Sequence, residues 1–129
     1  MDKEEIKSLI NRWAFYADAR KAEAQVALFA DIFENSTIMP DGSKQTFTDK
    51  AELCAGIKSA LGAFQKTFHM NGQTEITENH ATSYCIAHHF RADGTVLVMY
   101  IRYEDDFVLE NNEVKFSQRV LHIEQVEER

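Results

Sequence analysis

The side chains best suited to proton transfer are an aspartate, three histidines and a tyrosine: Asp18, His69, His88, His89 and Tyr103. A carboxylate bonded to one ring nitrogen of a histidine fixes the imidazole tautomer and raises its basicity. The other nitrogen can then move a proton near neutral pH. An Asp18–His69 pair would suit removal of a proton α to a carbonyl. Elimination of water would also need a donor at the leaving hydroxyl, which His89 or Tyr103 could supply.

The same residues also fit a purely structural interpretation. Asp18 could cap its helix or pair with Arg20 or Lys21, and His69 could be a hydrogen-bonded residue of a strand. A metal site is another use of the histidines. However, adjacent histidines on a strand point to opposite faces, and no HxH or HExxH motif is present. The sequence therefore predicts no metal and leaves the catalytic and structural readings of Asp18 and His69 open.

Three helices are predicted in the first half of the chain. Apolar residues recur at spacings of three and four from Asp2 to about Asp18, which predicts an amphipathic helix with Asp18 at its end. A second helix is predicted from Ala22 to about Ala30. The third opens at Thr48-Asp49, where the acid three residues beyond Asp49 suggests a capping box. Its apolar side is formed by Leu53, Ile57, Leu61 and Phe64.

Strands dominate the rest of the chain. The apolar run from Ile32 to Met39, the turn residues Pro40 to Ser43 and the short run Gln45 to Phe47 predict a hairpin. After His69 the pattern alternates in runs at about 68–78, 81–91, 95–109 and 113–125, separated by turn residues. These runs predict an antiparallel meander. Helices followed by strands predict an α+β fold, which we expect to be a single domain over 1–129.

The alternation separates the two faces of the predicted strand over 81–91. One face carries the small residues Ser83, Cys85 and Ala87 together with His89, and the other carries Tyr84, Ile86, His88 and Phe90. Small residues leave room for a ligand, so we expect His89 to face inward. The other face keeps apolar residues that need a cover. Because the helices are needed on the inner face, we expect a homodimer through the outer face of the sheet.

Composition limits the possible partners and compartment. The net charge is −7 and the pI about 5.2, which disfavours binding to nucleic acids or anionic membranes. The two cysteines, Cys54 and Cys85, form no CxxC motif, as is typical of a reducing compartment. No signal-like or membrane-spanning apolar run is present. The sequence predicts a cytoplasmic protein with no nucleic-acid or membrane partner.

Three stretches resemble the SnoaL-like branch of the nuclear transport factor 2-like superfamily. The first is Arg12-Trp13-Ala14-Phe15-Tyr16-Ala17-Asp18, with Leu28-Phe29-Ala30-Asp31 after it. The second is Thr67-Phe68-His69-Met70. The third is Arg102-Tyr103-Glu104-Asp105, which is followed by Lys115-Phe116-Ser117-Gln118-Arg119. Together they extend over nearly the whole chain.

The resemblance implies a cystatin-like α+β cone, in which a curved antiparallel sheet wraps about three N-terminal helices and leaves an internal apolar pocket. Relatives include scytalone dehydratase, ketosteroid isomerase and polyketide cyclases, which use no metal or organic cofactor. Asp18 and His69 match the positions of the aspartate and histidine in the dehydratase-type relatives. Those relatives tend to carry a tyrosine where this chain has Ala17. The residues that we expect to contact a ligand are Trp13, Tyr16, Phe33, Phe64, His88, Met99, Tyr103 and Phe116.

These observations lead to a functional hypothesis and two alternatives. The first is a cofactor-independent lyase or isomerase acting on a small, mainly apolar hydroxylated or carbonyl compound, with Asp18, His69 and His89 as catalytic residues. The second is a non-catalytic small-molecule-binding or dimerisation module of the same fold. The third is an accessory subunit that stabilises an oxygenase-like assembly.

Overall fold

Two of the three helices begin at an aspartate whose side chain caps the first turn. The computed structural model describes all residues, 1–129. Helix α1 spans Lys3–Asp18 after the cap Asp2, α2 spans Ala22–Val26, and α3 spans Lys50–Gly62 after the cap Asp49. The Asp49 carboxylate accepts from the backbone N–H of Glu52 at 3.0 Å, at the predicted capping box. No helix has the length and apolar character needed to cross a membrane.

Six strands form one curved, open sheet with the order β2-β1-β6-β5-β4-β3. The strands are β1 (Phe29–Ile38), β2 (Lys44–Phe47), β3 (Lys66–Thr77), β4 (His80–Phe90), β5 (Val96–Glu110) and β6 (Glu113–Glu128). The predicted α+β class, the hairpin β1–β2 and the antiparallel meander β3–β6 are confirmed. The sheet is antiparallel except at one place, where β1 pairs with β6 in parallel.

The second helix is shorter than predicted. It ends at Val26, and the sheet begins at Phe29, which is opposite Phe116 of β6. The apolar residues around Leu28 and Phe29 are fully buried, and a short buried apolar run looks the same in a helix as in a central strand. The helix therefore stops where the chain turns into β1, about one turn before the predicted end at Ala30.

The main core lies between α1 and the part of the sheet that contains β1 and β6. Trp13 of α1 packs edge-on against Phe29 at 5.8 Å and Phe116 at 6.2 Å between ring centroids. A smaller buried cluster follows the inner face of β4, β5 and β6, with Cys85, Ala87, Ile101, Tyr103 and Ile123. Part of the space between the sheet and α3 is unfilled and forms a cavity.

Helix α3 is the wall of this cavity rather than a core helix. Leu53 is its only buried residue, whereas Ile57 and Leu61 line the cavity. Its C-terminal end is held by Arg20, which turns the chain after α1 with a φ of 61°. The Arg20 guanidinium donates to the carbonyl oxygens of Leu61 and Phe64, and so satisfies groups that a helix end leaves unpaired.

Candidate active site

Asp18 and His69 are joined by two hydrogen bonds at one wall of the cavity, and a third holds Asp18 to Thr67. Asp18 Oδ1 lies 2.7 Å from His69 Nδ1 and accepts from Thr67 Oγ1 at 3.0 Å. Asp18 Oδ2 accepts from the backbone N–H of His69 at 3.0 Å. Both carboxylate oxygens are thus anchored to β3, and the imidazole cannot rotate without breaking a bond.

The packing of α1 across β3 brings Asp18 and His69 together. Asp18 is the last residue of α1, and α1 packs across β3. Residues Thr67 and His69 are two apart on β3, so both side chains point toward the helix. A carboxylate can only accept, so His69 Nδ1 must carry the proton when the imidazole is neutral. His69 Nε2 then keeps a free lone pair, and His69 lines the cavity.

The cavity has a volume of about 290 Å³ and is lined by 21 residues, of which 14 are hydrophobic. Its walls come from the three helices, the hairpin β1–β2 and the inner face of β3–β6. The aromatic side chains on its wall are Trp13, Phe47, Phe64 and Tyr103, together with the imidazoles of His69 and His89. Size and lining suit a small, mainly apolar molecule.

His89 faces the cavity, as expected from the small residues on its side of β4. Its ring centroid lies 5.9 Å from that of His69 and 4.8 Å from that of Phe64. His89 Nδ1 is 3.2 Å from the carbonyl oxygen of Leu97, to which it can only donate. Burial lowers the pKa of His89 below its ordinary value. The neutral ring therefore offers Nε2 as an acceptor.

Tyr103 lies on the cavity wall above a buried ion pair. The Arg119 guanidinium carbon is 3.7 Å from the Tyr103 ring centroid, and Arg119 Nε is 3.1 Å from Asp105 Oδ1. Burial raises the pKa of Tyr103 well above its ordinary value, while the Arg119 charge opposes this shift. Burial likewise raises the pKa of Asp105 to about 7, against the opposing effect of Arg119. The Tyr103 hydroxyl accordingly stays protonated and can only act by hydrogen bonding.

Half of the predicted ligand contacts lie on the cavity wall, namely Trp13, Phe64, Met99 and Tyr103. The structure places the other four elsewhere, which corrects the sequence prediction. Phe33 and Phe116 pack on Phe29 in the main core, at 4.8 and 5.3 Å between centroids. Tyr16 is half-buried beside that core, and His88 is on the opposite face of β4 from His89, where it stacks on Phe90 at 6.2 Å. A core aromatic and a cavity aromatic have the same appearance in a sequence.

Four polar residues of the cavity wall were not predicted from the sequence, namely Gln25, Asn35, Thr37 and Gln45, and the first two are buried. Gln25 of α2 is 1% exposed and Asn35 of β1 is 4% exposed, and both line the cavity. The signal that could have found Gln25 is its position beside Ala22 and Val26, on the buried side of α2. A polar residue on an apolar face needs a partner, and a ligand can provide one.

No three histidine, cysteine, aspartate or glutamate side chains lie together in a way that could hold a metal ion. His69 and His89 each direct Nδ1 to a protein oxygen and keep Nε2 free in the cavity. The arrangement can support proton movement at the two Nε2 atoms and hydrogen bonding by Tyr103.

Comparison with known proteins gives a consistent result. The chain superimposes on a protein from Novosphingobium aromaticivorans provisionally named a scytalone dehydratase, with a TM-score of 0.80, 20% identity and coverage of 96% of this chain and 85% of the other. It also superimposes on a nuclear transport factor 2-like protein with a cystatin-like fold from the same organism. The TM-score is 0.74 and the identity 24%, with coverage of 95% of this chain and 81% of the other. A third similar structure is hexachlorocyclohexane dehydrochlorinase LinA-type3 from Novosphingobium barchaimii. Its TM-score is 0.84 at 10% identity, with coverage of 98% of this chain and 89% of the other.

These structures share the fold of this chain at low sequence identity. No sequence among curated proteins matches the chain significantly. The family model for SnoaL-like domains, however, matches residues 1–120, nearly the whole chain. It includes the three stretches around Asp18, His69 and Tyr103. The chain therefore belongs to the family of SnoaL-like domains.

Proposed function

We propose that the protein is a cofactor-independent lyase or isomerase that acts on a small, mainly apolar hydroxylated or carbonyl compound. The observation that carries this proposal is the Asp18–His69 pair, anchored by both carboxylate oxygens on the wall of an apolar cavity. Membership of the SnoaL-like family supports it. So do structural neighbours that are named as a scytalone dehydratase and a dehydrochlorinase, both of which are names of elimination enzymes.

In the proposed reaction His69 is the base. Its Nε2 takes a proton from the carbon α to a carbonyl, and the Asp18 carboxylate stabilises the imidazolium that forms. In a dehydration the C–O bond of the β-hydroxyl then breaks, and the departing oxygen takes the proton from His69 Nε2 to leave as water. In an isomerisation the same proton returns to a different carbon. Either route restores the neutral imidazole.

Tyr103 is the better candidate for binding the oxygen on which negative charge develops. Its hydroxyl stays protonated and can donate a hydrogen bond, and the Arg119 cation lies against its ring. Neutral His89 already uses its Nδ1 proton on Leu97, so it offers an acceptor rather than a donor. We therefore assign His89 to orienting a hydroxyl of the substrate, and Tyr103 to the carbonyl oxygen or the leaving hydroxyl.

A test of the base needs no knowledge of the natural substrate. Cyclic ketones and β-hydroxy ketones are incubated with the protein in D2O, and ¹H NMR follows deuterium uptake at the α carbon and loss of water. Asp18→Asn and His69→Ala should each lower the rate by about a hundredfold or more, because general-base catalysis typically contributes that much. The matched controls are Asp31→Asn and His122→Ala, which change the same residue types outside the cavity. Equal rates in the wild type and both site variants would refute the assignment.

A second readout separates a lost base from a damaged fold. Long-range ¹H–¹⁵N NMR of the free protein should show His69 as the Nδ1–H tautomer when it is neutral, because Asp18 accepts at that nitrogen. Asp18→Asn should remove this preference while the fold is kept. The alternative function, a non-catalytic binding module, predicts a different outcome. There a ketone would raise the melting temperature of the wild type but would be recovered unchanged, with no deuterium at its α carbon.

A further inference from the structure

The cavity has a second polar region, which we call the amide region and define as Gln25 and Asn35. Asn35 is on β1 and His69 is on β3, and in the sheet β6, β5 and β4 lie between them. Both amide side chains flank the Trp13–Arg119 contact, because Gln25 bonds the carbonyl of Trp13 and Asn35 bonds that of Arg119.

The orientation of each amide group follows from its partner. Gln25 Nε2 donates to the carbonyl oxygen of Trp13 at 3.1 Å, and Asn35 Nδ2 donates to that of Arg119 at 3.4 Å. A carbonyl can only accept, so the NH₂ groups must face these oxygens and the amide oxygens must face elsewhere. Gln25 Oε1 is buried and accepts no hydrogen bond within the protein. A buried acceptor without a donor is costly, and such a group in a cavity wall points to a donor on the ligand.

The cavity wall also has no cation. None of its residues is a lysine or an arginine. The nearby Arg119 is 0% exposed, and its guanidinium lies against the rings of Trp13, Tyr103 and Phe116. Without a cation to balance it, a carboxylate or phosphate would lose its hydration without compensation on entering the cavity. The wall has the hydroxyls of Thr37 and Tyr103 and the exposed amide of Gln45 as possible donors. Its buried polar side chains, those of Gln25, Asn35 and His89, offer the two amide oxygens and the His89 Nε2 as acceptors, and His69 Nε2 is a further acceptor.

We propose that the amide region binds a hydroxyl or N–H group of an uncharged ligand, with Gln25 as the residue that selects for this donor. The proposal rests on the proposed function in that it names the class of compound for the same cavity: a neutral molecule with an apolar body and a hydrogen-bond donor that meets the amide region. An ether or an anion in the same place leaves Gln25 Oε1 without a donor or adds a buried charge.

Isothermal titration calorimetry with three probes of the same shape tests this directly. The probes are 4-propylphenol, which donates, 4-propylanisole, which does not, and 4-propylbenzoate, which is charged at pH 7.5. In the wild type we expect the phenol to bind about tenfold more tightly than the anisole, equal to about 1.4 kcal/mol, and we expect no measurable binding of the benzoate. In Gln25→Leu the phenol should lose its advantage while the Kd of the anisole stays within about twofold.

Two further variants keep the test decisive. Gln65→Leu makes the same change at an exposed position outside the cavity and should leave the tenfold preference intact. Asn35→Leu is the second site variant if Gln25→Leu fails to fold, and it should lower the preference as well. The proposal is overturned if the wild type shows no preference for the phenol, fails to bind it up to its solubility limit, or binds the benzoate equally well. It is also overturned if the preference survives in the folded site variants. Since only binding is measured, the result is independent of whether the protein catalyses proton transfer.

Discussion

His69 and His89 face one cavity but are held by different groups. His69 has a carboxylate as its partner, so a positive charge that forms on its ring is balanced. His89 has the carbonyl of Leu97 and an apolar setting beside Phe64, and burial lowers its pKa. One histidine is thus arranged to take up a proton during a reaction and the other to remain neutral. The two histidines differ in this way because their hydrogen-bond partners differ.

A third histidine, His80, is bonded to two carboxylates, whereas His89 is bonded to a backbone carbonyl in an apolar environment. His80 Nδ1 is 2.8 Å from Asp106 Oδ1, and Nε2 is 2.9 Å from Glu104 Oε1. These two carboxylates raise the pKa of His80, the bond to Asp106 most of all, against a smaller opposing effect of partial burial. Its stabilising contribution is therefore complete below about pH 6.5 and is lost as the pH rises through the higher pKa of the folded state.

The lowered pKa of His89 makes the stability of the fold depend on pH in the opposite sense to that of His80. The unfolded state binds a proton near pH 6.5 and the folded state resists it, so stability falls as the pH drops below that value. We predict that His89→Gln reduces the loss of stability between about pH 7 and pH 5, whereas His80→Gln destabilises more at about pH 5.5 than at pH 8. Urea unfolding at each pH measures both. Parallel pH profiles for the two variants would contradict this account.

At the level of single residues, the chemistry of the side chains suggested the Asp18–His69 pair, and the family resemblance favoured it over a structural role. The helical pattern places Asp18 at the edge of an apolar stripe, and nothing in that pattern tells whether a strand fifty residues later reaches it. The inward side of His89 followed from alternation along β4. Gln25 and Asn35 were missed because a buried amide has no spacing signature. Their roles depend on which backbone carbonyls the fold brings beside them.

Among the elements, α3 has the loosest relation to the core, since it packs on α2 and β2 and buries only Leu53. Its contact with β2 depends on a glycine. A Cβ atom added at Gly56 would lie 2.8 Å from Phe47 Cζ, so the Phe47 ring touches the backbone of α3. Phe47 and Gly56 both line the cavity. This contact therefore defines the side of the cavity formed by α3 and the hairpin.

Two glycine-to-alanine variants in α3 separate helix propensity from this contact. At Gly62 an added Cβ meets nothing within 4 Å, so Gly62→Ala should raise the free energy of unfolding by up to about 1 kcal/mol. Gly56→Ala has the same propensity gain but must displace Phe47, which costs about 1–3 kcal/mol. We expect urea unfolding to rank Gly56→Ala at least about 1 kcal/mol below Gly62→Ala. Similar stabilities would show that Phe47 moves freely and that the contact is unimportant.

The elements themselves were predicted unevenly. The meander β3–β6 followed from alternation and local turns, and the start of α3 from its capping residues. The end of α2 was misplaced because the apolar run around Phe29 fits a helix as well as a buried strand. The parallel pairing of β1 with β6 could not be predicted from local patterns, because partners such as Asn35 and Arg119 are 84 residues apart.

For the whole molecule, the outer face of the sheet carries an exposed apolar patch, which we define as Phe68, Met70, Tyr84 and Ile86 on β3 and β4. Between 40% and 56% of the surface of each residue is exposed. Met70 is directly opposite Ile86, so the side chains share one face, and a shallow groove runs beside them toward Tyr100. Such a patch is typical of a protein–protein interface. We propose that a second copy of the chain covers it in a homodimer.

A pair of isoleucine-to-lysine variants tests this proposal. Ile86→Lys places a charge in the patch and should convert the dimer to a monomer in size-exclusion chromatography with light scattering, because two copies would bury like charges. Ile32→Lys is the matched control, since Ile32 is 90% exposed on β1 and outside the patch, and it should remain dimeric. A wild type that is monomeric at micromolar concentration would refute the dimer.

Trp13 is the one tryptophan in the chain, and it stands on the cavity wall. Its indole is 6% exposed and lies between Phe29, Phe116 and the Arg119 guanidinium. Emission excited at the red edge of the absorption band, where tyrosine contributes little, consequently comes from this one place. Trp13 is thus an intrinsic fluorescent probe of the cavity. Binding of a non-absorbing compound in the cavity can be followed through its emission without an added label.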